Sequence, residues 1–159
     1  MARRGLFRQA VPVASDREES AMTKFIFNDE NIDWKRLEGI DHLWLSVLNI
    51  DDEAGIVHVL YKFAANEKIL LHRHKTLNKT FVIQGEHRLY HANDELKEAR
   101  PVGSYKVSPP TEDPHREGGG DQDVIVFFTI YGKGLLYEIL DDAQNLVAPI
   151  TVEDFRALM

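Results

Sequence analysis

The sequence predicts an all-β domain, a sandwich or barrel of short strands. Three observations predict it. Apolar runs rich in β-branched and aromatic residues recur at roughly 8–12-residue spacing. Gly, Pro, Asn and Asp separate those runs at turn positions. Apart from Val152–Leu158, with Thr151 as its N-cap, nothing keeps a helical period long enough to compete.

The elements follow in order. Thr23–Asn28 reads as a first short strand and Asp33–Asp41 as a turn-like segment. His42–Ile50 and Ile56–Phe63 read as strands around the turn Asp51–Gly55. After a loop at Ala64–Lys68, Ile69–His74 is the next strand. Lys79–Gln84 is another, stopped by Gly85, and Glu86–His91 follows it. Asn93–Glu95 turns the chain, and Ser104–Val107 extends again. Pro109, Pro110 and Pro114 remove backbone donors, so Ser108–Pro114 is not a central strand. The three glycines within Glu117–Asp121 read as a flexible loop. Val124–Tyr131, Leu135–Leu140 and Leu146–Ala148 are the last strands.

A chain of 159 residues fits one domain with a real core. Residues 1–22 read as an N-terminal arm and 23–159 as the domain. The net charge of −7 and pI near 5.5 argue against a nucleic-acid surface. No apolar run approaches the roughly 18 residues of a membrane span. The basic start lacks the apolar segment of a secretory signal. The absence of cysteine excludes disulfides, thiolate metal sites and cysteine nucleophiles, and it fits a cytoplasmic location. Sheet edges need cover, so a homodimer pairing through Thr23–Asn28 is expected.

The chemistry centres on histidine. His72 and His74 stand two apart on a strand, so both imidazoles leave one face and can grip one ion. Without thiols, such an ion takes nitrogen and oxygen ligands. His87, Leu89 and His91 share a face of the following strand, and His87 is a candidate pocket residue. His115 ends the proline-rich loop. His42 and His58 read as structural. Glu112, close before His115, is a candidate acid or base. Phe81, Tyr105, Phe127 and Phe128 are candidate walls, although neighbours Phe127 and Phe128 cannot both face inward on a regular strand.

His72-x-His74, Asn78, then six residues to Gly85, resembles the first cupin motif. Gly103, five residues, Pro109 and later His115 resemble the second. The resemblance spans Ile56 to Tyr131. It implies a single cupin-type β-barrel (a double-stranded β-helix or jelly-roll) with His72, His74 and His115 as ligands of one divalent ion. Asn78 stands where the first motif has a glutamate, so an all-histidine centre is expected. Such a shell leaves the ion's charge uncompensated and favours an anionic or enolisable small molecule. Gly85–His91, Pro101–Tyr105, the paired prolines and His115 resemble the branch of 2,4'-dihydroxyacetophenone and acetylacetone-cleaving dioxygenases, and also certain anti-sigma-factor cupins. In the dioxygenase branch a glutamate near the metal stands where this chain has His91. The resemblance therefore implies His91 as a fourth ligand or catalytic neighbour. The implied activity is Fe(II)- and dioxygen-dependent cleavage of a carbon–carbon bond in a diketone or hydroxyketone-like substrate. The alternatives are a zinc-binding sensor, and an isomerase or lyase using the same site; Zn(II) and Ni(II) are the alternative ions to Fe(II).

Overall fold

The structure, a computed structural model, describes residues 24–159. Strands β1 (Leu43–Asp51), β2 (Ile56–Phe63), β4 (Asn78–Gln84), β7 (Tyr105–Ser108) and β9 (Val124–Tyr131) form one antiparallel sheet in the order β1-β2-β9-β4-β7. Strands β3 (His72–His74), β5 (His87–His91), β6 (Leu96–Arg100), β8 (His115–Gly119), β10 (Leu135–Leu140) and β11 (Leu146–Thr151) form a second, ordered β11-β10-β3-β8-β5-β6. A short helix, α1 (Val152–Arg156), closes the chain.

The two sheets face each other, and side-chain alternation decides what lies between them. On β2, Val57, Val59, Tyr61 and Phe63 point inward, opposite Ile130, Phe128, Val126 and Val124 of β9. Leu136 and Ile139 answer from β10, and Val152 and Phe155 of α1 join the same core. Thr151 caps that helix: its N–H and hydroxyl donate to the Asp154 carboxylate at 2.7 and 3.1 Å.

Strands β2, β9 and β10 have the bounds that their apolar runs imply. Two strands form where none was expected. β6 is mostly polar, and β8 begins at the end of the proline-rich loop and runs into the glycines. Gly118 and Gly119 are therefore buried strand residues, not part of a flexible loop. The reason is close approach. A Cβ on Gly118 would lie 1.9 Å from the Glu67 carbonyl oxygen, because the Ala64–Lys68 loop crosses directly over β8. Lys68 forms an isolated bridge to Gly118, and the Ile69 N–H donates to the Glu117 carbonyl at 2.9 Å.

The expected arm, residues 1–22, lies outside the described residues, as does Thr23. The remainder of the expected first strand, Lys24–Asn28, is not a strand. Phe25 and Ile26 are exposed, and the Phe27 N–H donates to the Gln84 side chain at 2.7 Å instead of joining a ladder. Among the described residues, no helix is long and apolar enough to cross a membrane.

Gly118→Ala should cost about 3 kcal/mol or more, since a backbone oxygen must move to admit the methyl group. Thermal melts should show a midpoint about 6–12 °C lower. An unchanged midpoint would contradict the close approach drawn above.

Candidate metal centre

Strand periodicity builds the centre. β3 lies between β10 and β8, with Ile139 opposite His72, Tyr137 opposite His74, and His72 opposite His115. His72 and His74 both turn inward and are buried. On β8 the inward positions are His115 and Glu117, again two residues apart. These four side chains each present one ligand atom, and the four atoms all lie within 4.8 Å of one another.

The contacts are close. His72 Nε2 is 2.8 Å from Glu117 Oε2, and His74 Nε2 and His115 Nε2 are 3.5 and 3.4 Å from the same oxygen. His74 Nε2 lies 3.2 Å from His72 Nε2 and 3.1 Å from His115 Nε2. Donors held about 2.0–2.1 Å from one ion stand roughly 2.8–3.4 Å apart in octahedral or tetrahedral arrangements, so the spacing fits a shared ion. The protons argue the same way. His72 Nδ1 donates to the Leu70 carbonyl at 2.9 Å, which leaves Nε2 of a neutral ring with a lone pair. That lone pair faces a carboxylate oxygen, a repulsive pairing that a cation between them relieves.

A fourth histidine completes the surroundings. His87, fully buried, places Nε2 2.8 Å from Glu117 Oε1. Its ring stacks on Phe63 with 5.3 Å between centroids, and its Nδ1 is buried without a partner. With the proton on Nε2, His87 donates to one carboxylate oxygen while the other faces the three imidazoles. The candidate pocket residue thus contacts the carboxylate of the centre.

Electrostatics separate the groups. Burial pushes the His74 imidazole below its ordinary range, and it pushes His115 down to about 4. Burial acts to raise the Glu117 carboxyl, but its close contacts with His115, His72, His74 and His87 outweigh it and hold the group well below the usual carboxylate range. The centre thus sets one carboxylate beside the neutral His74 and His115 rings. The expected all-histidine shell is corrected: Glu117 supplies the charge that Asn78 does not. Asn78 instead accepts from the Tyr137 hydroxyl at 2.9 Å and donates to the Thr76 carbonyl at 3.0 Å.

Other expectations fall differently. His91 sits in register beside His115, but it ends β5 at a tight turn, is exposed, and does not join the ligand group. Its backbone is taken up by that turn, with the His91 N–H donating to the Glu95 carbonyl. Glu112 is exposed and paired with Arg73 and Lys75, which hold its carboxyl below the usual range. Of the four aromatic candidates only Phe128 faces the interior. Phe81 and Tyr105 are exposed, and Phe127 lies opposite them on the outer face.

The centre stands between two spaces. On one side a small apolar cavity of about 40 Å³ meets His72 and Glu117, with Phe63, Phe128, Tyr137 and Phe155 among its walls. On the other a cleft of about 260 Å³ reaches His74, His115 and Glu117. Its walls include Asn78, Thr80, Leu89, Arg100 and Phe128.

Because the folded value of His115 lies near 4 and an unfolded histidine titrates near 6.5, the unfolded chain takes up this proton first. The His115 contribution to stability is full above about pH 6.5 and is lost as the pH falls from there towards 4. Melts of metal-free protein across this window should show a falling midpoint, reduced in His115→Gln. A wild-type midpoint that holds level across it would contradict the neutral, buried ring.

Comparison with known proteins places this geometry. The family model of the ChrR Cupin-like domain matches residues 22–133. No curated protein sequence matches the chain. Among solved structures, an RmlC-like cupin protein from Ralstonia eutropha JMP134 is 18% identical, with a TM-score of 0.66 over 86% of this chain and 85% of that one. An acetylacetone dioxygenase from Acinetobacter johnsonii is 12% identical, with a TM-score of 0.64 over 92% of this chain and 97% of that one. A protein with a double-stranded β-helix domain from Klebsiella pneumoniae is 17% identical, with a TM-score of 0.54 over 76% and 99%. At these identities the structural likeness shows a common fold and no more. The family match covers well over half of the sequence and includes His72, His74, His115 and Glu117, and on that ground the chain belongs to the ChrR-like cupin family.

Proposed function

We propose that the protein is a metal-dependent dioxygenase that cleaves a carbon–carbon bond in a small diketone or hydroxyketone-like substrate. The observation that carries this reading is the His72–His74–His115–Glu117 group opening on one side to a cleft of about 260 Å³. The likeness of fold to an acetylacetone dioxygenase supports it.

His72, His74, His115 and Glu117 would hold one divalent ion, with Fe(II) the ion that suits dioxygen chemistry. When bound, that ion supplies Lewis acidity towards an enolisable oxygen and the electron transfer that dioxygen requires. Glu117 cancels one of its two charges, so the centre keeps a net positive charge that favours an enolate. His87 holds Glu117 by its second oxygen and fixes the carboxylate's orientation. Leu89 and Phe128 give the cleft apolar walls and exclude water. Asn78 and Thr80 offer polar groups on the same side. His91, exposed at the end of β5, is not a ligand in this reading.

The full burial of all four side chains favours a second reading, a zinc-binding module that senses or binds a small ligand. Closed, buried sets of four protein ligands are typical of structural zinc.

Two measurements test these readings. Metal content after dialysis should fall sharply in His72→Ala, His115→Ala and Glu117→Gln, by about tenfold or more in affinity, and stay at wild-type level in His91→Ala. Full retention by His115→Ala would remove the site. Protein loaded with Fe(II) without oxygen should then consume dioxygen with at least one member of a panel of β-diketones and hydroxyacetophenones. No uptake with any of them, alongside tight zinc at one ion per chain, would replace the dioxygenase by the binding module.

A further inference from the structure

Beside the centre, the cleft contains a buried cation that the chemistry above does not use. Arg100 ends β6 in register opposite His87 and turns inward with it, and it is only 7% exposed. A guanidinium has five N–H donors. Among the described residues, its side chain makes two hydrogen bonds. One goes to Glu98 Oε2 at 2.9 Å, and a long one goes to Thr80 Oγ1 at 3.4 Å. Its Nε is buried with no partner.

The charge is not cancelled locally. Glu98 is held down to about 2, first by Arg100 and then by Lys106, so it is a carboxylate shared by two cations. Lys97 also lines the cleft, and its ion pair with Asp113 is long at 3.7 Å. One wall of the cleft is therefore net positive, with a planar fork already fixed in place. His74, His115 and Glu117 line the same cleft from strands β3 and β8 of the same sheet, three and two strands from β6. Desolvating a guanidinium and leaving an N–H unpaired costs free energy, which an anionic ligand recovers. A planar carboxylate matches the fork in a way that a neutral ketone does not. The cleft is also smaller than the roughly 300–1,000 Å³ of drug-sized ligand sites, so its occupant is small.

We propose that Arg100 is the substrate's anion-recognising residue, and that the substrate is a small oxo acid. Its carboxylate lies on the Arg100 guanidinium, and its enolisable oxygens face the histidine–glutamate group. The proposal rests on the reading that this group holds a metal ion and acts on a small oxygenated molecule. It narrows the substrate from neutral diketones to acids.

Pentane-2,4-dione and 2,4-dioxopentanoate share the dione and differ by one carboxylate, so they serve as the probe pair. Calorimetric titration of zinc-loaded wild-type protein without oxygen should show the acid binding about tenfold or more tightly than the dione. Arg100→Met should bring the acid to the level of the dione. Arg100→Lys keeps the charge near Glu98 but loses the fork, and should lose most of the preference. Equal affinities in the wild type would overturn the proposal, whether or not Arg100→Met folds. So would an unchanged preference in either variant. Oxygen uptake by the Fe(II) protein is scored separately. An acid preference that depends on Arg100, without uptake, keeps the anion site and removes the dioxygenase. Uptake with diones but no acid preference does the reverse.

Discussion

The centre depends on one buried carboxylate. Glu117 is 3% exposed, and four imidazoles surround it. Taking a carboxylate out of water costs several kcal/mol unless partners replace its hydration. Here His87 satisfies one oxygen and three rings crowd the other. Those rings are in turn aligned by their strands, and His72 also by the Leu70 carbonyl. Each group limits what its neighbour can do. Neutral rings cannot all donate to one oxygen, and the carboxylate cannot go unpaired. A metal ion shared by the four ligand atoms would satisfy all of them at once.

Much of the fold was legible because its central strands are apolar on both faces or alternate cleanly. Ile56–Phe63 and Val124–Tyr131 could not be missed, since β-branched and aromatic residues fill them. The two missed strands fail that test for different reasons. Leu96–Arg100 is an edge strand with charges at most positions, so its pattern matches a loop. His115–Gly119 contains glycines that usually signal flexibility, and here they admit a crossing backbone. That crossing is a long-range contact, and local composition does not record it.

The site was half legible for the same reason. His72 and His74 were found by the two-residue period of a strand, and the same period links His115 to Glu117. Read as a loop, His115–Gly119 offers no such period. The resemblance points instead to His91 as the fourth ligand. Asn78, at the position where the motif has its glutamate, is a neutral hydrogen-bonding hinge between Tyr137 and Thr76. The carboxylate of this centre sits on another strand, as Glu117 of β8. Arg100 was invisible to sequence reasoning because an arginine on a polar strand is ordinarily a solvated residue.

The contact between β3 and β8 also orders events in time. His72 and Glu117 are separated by 45 positions, and His74 and His115 by 41. Between them lie four other strands and the turns that join them. Closing a loop of that length comes late, after its entropy has been offset by local pairing. Before that moment the chain offers only the two-histidine half of the centre. An ion held by all four side chains would therefore report finished folding and not nucleate it. In this respect the domain would be the opposite of a zinc finger, where metal and fold arrive together.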